Sequence, residues 1–315
     1  MPDVKKIATR VSYGQELAEL GAEYDNICVM DADLAASTQT AIFGKRFPER
    51  FFDVGIQEGN MMGIAAGLAS TGKVVFASSF AMFATGRAYE VIRNSIAYPK
   101  LNVKICASHA GVSVGEDGAS HQCIEDIALM HVIPNMTVIQ PADDVETRAA
   151  LRAAYAIEGP VYLRLARLAS PVFNSAEDYK FEFGKGITLR DGSDVTIVAT
   201  GLPVTAAMEA CDLLLKDGIS ARLINIHTIK PIDEEILVKA ARETGKIVTV
   251  EEHSVIGGFG SAVCEAITER CPVPVTRIGI PDCFGVSGPA QELYKYFGLD
   301  AQGIYEHTKA FVCEK

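Results

Sequence analysis

Residues 51–80 read FFDVGIQEGNMMGIAAGLASTGKVVFASSF, and the fold turns on how this stretch divides. From Glu58 onward it is glycine, alanine, methionine and other apolar residues, with Gly59, Gly63 and Gly67 four apart. That spacing predicts a helix with one face bare of side chains, where another backbone can approach closely. KVVFASSF (73–80) then reads as a strand, so helix passes directly into strand. The lone carboxylate that opens the helix needs a partner. An acid in a first helical turn can simply complement the helix dipole. A desolvated one has a raised pKa and can exchange a proton with a ring nitrogen of a bound ligand.

The same alternation extends outward in both directions. NICVMDADL (26–34), NVKICASH (102–109), MTVIQPAD (136–143) and VYLRLAR (161–167) are further strand candidates among helical patterns, the signature of a parallel sheet covered by helices. Several end in polar residues, and ligands of open α/β sheets bind just beyond the carboxyl ends of the strands. VFNSAEDYKFEFG is polar and aperiodic, which suggests a linker, set at 176–184. Alternation then restarts through VTIVAT, SARLINI, KIVTVEE and PVTRIGI. The expected fold class is α/β with two doubly wound domains, residues 1–175 and 185–315.

The 315 residues suffice for two cores. A net charge of -11 with no basic block argues against nucleic acid or an anionic membrane as partner. No apolar run approaches the roughly 18 residues of a spanning helix, and MPDVKKIATRVS lacks an apolar signal core. The eight cysteines are scattered without zinc-type spacing. A soluble cytoplasmic chain with reduced thiols and no metal site of its own is expected.

Three further segments hold candidate chemistry. SHAGVSVGEDGASHQ (108–122) packs His109, Glu116, Asp117 and His121 into a glycine-spaced loop, either a surface turn or a ligand loop, and it is too short for an EF-hand. SSFAMFATGRAYEVIRNS (78–95) places Phe80 and Phe83 three apart at the expected start of a helix. Such a pair is ordinarily core, but at a sheet's carboxyl edge one ring can stack on a flat heteroaromatic ligand. Arg10, Ser37 and Arg167 are isolated polar residues, solvated by default, although Arg grips phosphate bidentately.

Taken in order, DADLAAS, GIQEGNM, SSFAMF, GVSVGEDGASHQ and YLRLAR resemble the middle domain of transketolases, and VATGLPVTAAMEA and VEEHSVIGGFGSAV resemble that family's carboxyl-terminal domain. The resemblance covers nearly the whole chain. It implies that Glu58 hydrogen-bonds the aminopyrimidine of thiamine diphosphate and drives its imino tautomer, while Phe83, with Phe80 beside it, stacks on that ring. Arg10, Ser37, His109 and Arg167 match positions that hold a sugar phosphate. Asp117 and His121 match those that contact sugar hydroxyls, with His121 joining Glu58 as a catalytic candidate.

Two features depart from the family pattern. Gly86 stands where many transketolases carry a third aromatic, so the pyrimidine wall is expected to be completed differently or left looser. Nothing resembles the G-D-G and downstream Asn that hold metal and diphosphate, since EDG (116–118) and RDG (190–192) lack the right flanks. The chain is thus similar to the second half of a transketolase. The resemblance implies a partner N-terminal subunit that holds Mg2+ or Ca2+ and the diphosphate, an α2β2 assembly, and ketol transfer between sugar phosphates, a pentose phosphate chemistry. Alternatives are a deoxyxylulose-phosphate-synthase-like subunit, a 2-oxo acid dehydrogenase β-type subunit, and a non-catalytic binding module.

Overall fold

A computed structural model describes residues 5–314 and divides the chain into two compact units. One comprises the chain up to Ala110 together with Leu129–Phe181; the other comprises Gly111–Ala128 and the chain from Glu182 onward. The loop 111–128 therefore clusters with the second unit although it lies within the sequence of the first.

Six strands of the first unit form a parallel array in the order Thr137–Ile139, Val161–Arg164, Val103–Ser108, Val74–Phe80, Ile27–Asp31 and Phe51–Asp53. Burial on both faces explains their near-continuous apolar runs, since a parallel sheet is covered on each side. Phe76, Ile27, Val29, Cys106 and Leu163 pack with Tyr13, Leu17 and Leu20 of the helix Thr9–Glu23 into one buried cluster. Each large apolar side chain so buried contributes about 1.5–3 kcal/mol. The Tyr13 hydroxyl, buried among them, is matched by Ser78 Oγ at 2.7 Å, which spares the core an unsatisfied polar group.

The second unit has four parallel strands in the order Val275–Ile280, Ile247–Ser254, Val195–Ala199 and Ala221–Asn225. Ile187–Arg190 adds an antiparallel edge. Two helix starts here are capped by acids: Asp233 accepts from Ile236 N, and Asp300 from Gly303 N. At the start of the helix Phe259–Thr268, the buried Glu251 carboxylate accepts from Phe259 N (2.6 Å) and Gly260 N (2.8 Å).

One sequence expectation needs correction. Phe80 does not open a helix; it is the last residue of the strand Val74–Phe80, and the chain then enters a π-helical turn, Met82–Arg87. Among the described residues no helix is long and apolar enough to cross a membrane.

Candidate functional site

The helix Glu58–Ser70 buries Glu58, Met61, Met62, Ala65, Ala66 and Ala69 against the first unit. Its opposite face is bare: a Cβ added at Gly59, Gly63 or Gly67 would meet nothing within 4 Å. Exposed Ile56 and Ile64 accompany this uncovered stripe. At the helix start Glu58 is only 4% exposed, and its carboxylate is 3.3 and 3.4 Å from Nη1 of Arg87. The same guanidinium lies 4.3 Å from the centre of the Phe83 ring. Sequence reasoning missed Arg87, whose one signal was its place four residues after Phe83.

Glu58, Phe83 and Phe80 thus form one group. The two phenyl rings are near-parallel with centres 6.0 Å apart, and Phe80 stacks closely on His109 at 3.8 Å. Phe83 is half-buried, whereas Phe80 and His109 are buried. His109 follows the strand Val103–Ser108 with φ of 58°, a left-handed conformation uncommon for a non-glycine residue. Its Nδ1 is 2.8 Å from Ser108 Oγ. Gly86 is exposed, and the Met82 methyl occupies the space a side chain there would take.

Arg10, Ser37 and Arg167 come together as a second group. Ala166 N donates to Thr9 Oγ1 (2.7 Å), which ties the segment leading to Arg167 to the start of the helix that carries Arg10. Arg10 Nη1 donates to the Ser37 carbonyl at 2.6 Å, while Arg10 Nε is buried with no hydrogen-bond partner. Burial and then the neighbouring Arg167 cation lower the Arg10 pKa. Two guanidinium groups held together with an orphaned donor suit an oxyanion, which would relieve both penalties.

Ser37 is positioned by Asp31, another residue the sequence reading overlooked. Asp31 ends the strand Ile27–Asp31 fully buried, and its carboxylate accepts from Leu34 N (2.7 Å), Thr38 Oγ1 (2.6 Å) and Thr40 Oγ1 (2.8 Å). Those bonds fold DADLAAST back over the strand end. Burial pushes the Asp31 carboxyl up to about 6, against the opposing pull of its hydrogen bonds. Asp31, Phe80, His109 and Arg167 therefore sit at or just beyond the carboxyl ends of four adjacent strands, the edge at which α/β sheets bind ligands.

Asp117 and His121 lie in the second unit, on the loop 111–128. Asp117 is exposed; His121 is half-buried with Nδ1 3.0 Å from Ser120 Oγ. The loop is held from beneath. Gln122 Nε2 donates to the carbonyls of Gly115 (3.1 Å) and Val286 (2.9 Å). The buried Glu252 carboxylate accepts from Ser113 N (2.5 Å) and from the Tyr294 hydroxyl (2.6 Å). A side chain at Gly111, whose φ is 79°, would collide with Glu252, so the approach requires glycine on both counts. Among the described residues no group of three or more His, Cys, Asp or Glu side chains is arranged to hold a metal ion.

Residues 5–172 match the transketolase pyrimidine-binding domain, and residues 184–304 match the transketolase C-terminal domain. The chain belongs to the transketolase family. A solved structure described as a split gene transketolase, an inactive beta4 tetramer, superposes with a TM-score of 0.90 at 54% identity, covering 96% of this chain and 98% of that one. The 6-deoxy-6-sulfo-D-fructose transketolase subunit SqwH of Clostridium sp. is 44% identical over 295 residues, 94% of this chain and 91% of its own length. An apulose-4-phosphate transketolase subunit of Phocaeicola vulgatus is 40% identical over 306 residues, 97% and 98% of the two chains. These two named subunits match this chain over nearly their whole length.

Proposed function

We propose that this chain is the C-terminal subunit of a two-chain transketolase, which transfers a two-carbon ketol unit between sugar phosphates together with an N-terminal subunit. What carries the proposal is the Glu58 carboxylate, 4% exposed at the start of a glycine-faced helix and joined through one guanidinium to the Phe83 ring. A planar cation already bridging acid and aromatic face supports the fit of these residues to an aminopyrimidine, which presents the same edge donors and stacking face. Two of the relatives are named as transketolase subunits and a third as a split gene transketolase, which supports the two-chain form.

Thiamine diphosphate, when bound, supplies a nucleophilic carbon and an electron sink for carbon–carbon bond cleavage. In this chain Glu58 would hold the proton shared with the pyrimidine nitrogen, Phe83 would take the ring face, and Phe80 would brace His109. Arg10 and Arg167, with Ser37 and His109, would grip the substrate phosphate. Asp117 and His121 would meet sugar hydroxyls, His121 exchanging a proton there. The diphosphate and its Mg2+ or Ca2+ would fall to the partner subunit. The uncovered stripe of Gly59, Gly63 and Gly67 is assigned to self-association within an α2β2 assembly. A cytoplasmic setting fits eight free cysteines. Relatives named for different sugars leave the donor and acceptor open, so pentose phosphates are one proposed class among several.

The test is reconstitution. Co-expressed with the N-terminal half of a split transketolase, the chain should transfer ketol units only when partner, thiamine diphosphate and a divalent cation are all present. Efficient turnover by this chain alone would contradict the assignment.

A further inference from the structure

The Arg87 side chain is 56% exposed, yet it reaches inward to two groups at once. Its Nη1 meets both oxygens of the buried Glu58 carboxylate, and its guanidinium carbon lies 4.3 Å from the Phe83 ring centre. Residues 83 and 87 both lie in the π-helical turn Met82–Arg87, about one turn apart and so on the same side of it. A guanidinium is flat, carries N–H donors along its edge and stacks on aromatic faces. Those three properties are what an acid and an aromatic wall together select in a protonatable nitrogen heterocycle. Arg87 therefore fills, from within the chain, the role that the pyrimidine has in the function proposed above.

We propose that Arg87 is a further residue of the pyrimidine site: it occupies the ring's seat as a displaceable stand-in, and cofactor entry exchanges it for the pyrimidine. The inference rests on the assignment of Glu58 and Phe83 to that ring. Two physical considerations favour a stand-in over a permanent structural bridge. A buried carboxylate with no partner is costly, so Glu58 requires a cation for as long as the ring is absent. A half-exposed ion pair with one cation–π contact is weak, worth about a factor of 30 in an equilibrium at most. Such a contact holds the site open without blocking a tighter ligand.

The test has two arms. In the full chain alone, labelled at arginine, the Arg87 side-chain δ protons should resonate upfield because of the Phe83 ring current. Phe83→Leu and, separately, Glu58→Gln should return them toward ordinary arginine positions. Ordinary positions in the parent chain, or no response to either substitution, would overturn the proposal. In the assembled two-subunit complex, calorimetric titration with thiamine diphosphate and Mg2+ should give Arg87→Ala an apparent affinity about 3- to 10-fold tighter than the parent, because an internal competitor has been removed. Arg87→Gln, which retains side-chain bulk, should shift the same way. Equal or weaker binding by both variants would overturn the stand-in role. Absence of binding by the parent as well would instead sink the cofactor assignment on which it rests, an outcome the spectroscopic arm distinguishes.

Discussion

Replacing Asp31 with Asn should flatten one part of the chain's stability–pH curve by a calculable amount. Asp31 is fully buried, and burial raises its carboxyl to about 6 in the folded chain, against roughly 3.9 when unfolded. Below pH about 4 the group is protonated in both states and costs nothing. Between about 4 and 6 the unfolded chain ionises first, so the folded chain holds the extra proton and its stability falls as pH rises. Above 6 both states are ionised and the loss is complete. At up to roughly 1.4 kcal/mol per pH unit, reduced near each end of the interval, the parent should lose about 2 kcal/mol between pH 4 and pH 7 that Asp31→Asn does not lose. Urea unfolding of parent and variant at half-unit steps, followed by the signal of the first unit, measures the difference. Titrating groups remote from Asp31 cancel in the subtraction, and the neighbouring Asp53 carboxylate, which helps to raise Asp31, is controlled by repeating the pair in an Asp53→Asn background. Parallel stability curves would refute the reasoning, because they would mean that Asp31 has the same proton affinity folded and unfolded.

Further outcomes concern the substrate side. Arg167→Ala in the assembled enzyme should raise KM for a phosphorylated ketose about 10- to 100-fold with kcat little changed, the loss of one charge-assisted contact; an equal effect on an unphosphorylated analogue would remove the phosphate role. Glu252→Gln should weaken the anchor beneath the 111–128 loop, because the amide retains one acceptor oxygen for the two donors Ser113 N and Tyr294 Oη. We expect destabilisation of about 1–3 kcal/mol, together with faster amide exchange at residues 112–122, and unchanged exchange there would show that the loop does not depend on Glu252.

Much of this architecture was legible in the sequence because parallel strands buried on both faces must be continuous apolar runs. NICVMDADL and KVVFASSF contain the strands Ile27–Asp31 and Val74–Phe80, each within three residues of its ends. The edge strand Ile187–Arg190 escaped notice because it is short, partly exposed and alternates weakly. The end of the strand at Phe80 is hidden for a related reason: the π-helical turn after it is set by tertiary contacts and leaves no periodic mark. At the site, residue type set Glu58 apart from the glycine and alanine around it, whereas Phe83, Arg10 and Arg167 read by default as core or surface and stood out only through the ordered resemblance to transketolase motifs. Their supports did not stand out. Arg87 meets Glu58 across 29 residues, and Glu252 meets Ser113 across 139; neither pairing has a local sequence consequence. Asp31 lay inside DADLAAS in plain view, but only its fold back onto Thr38 and Thr40 reveals what it holds.

Glu58→Gln in the assembled complex tests the central claim most directly. The amide is nearly isosteric, so folding, association with the N-terminal subunit and the position of Phe83 should all persist, while ketol transfer should fall to background because the amide cannot hold the proton shared with the pyrimidine nitrogen. Turnover at the parent rate by that variant, measured in a complex of verified composition, would contradict the role given to Glu58.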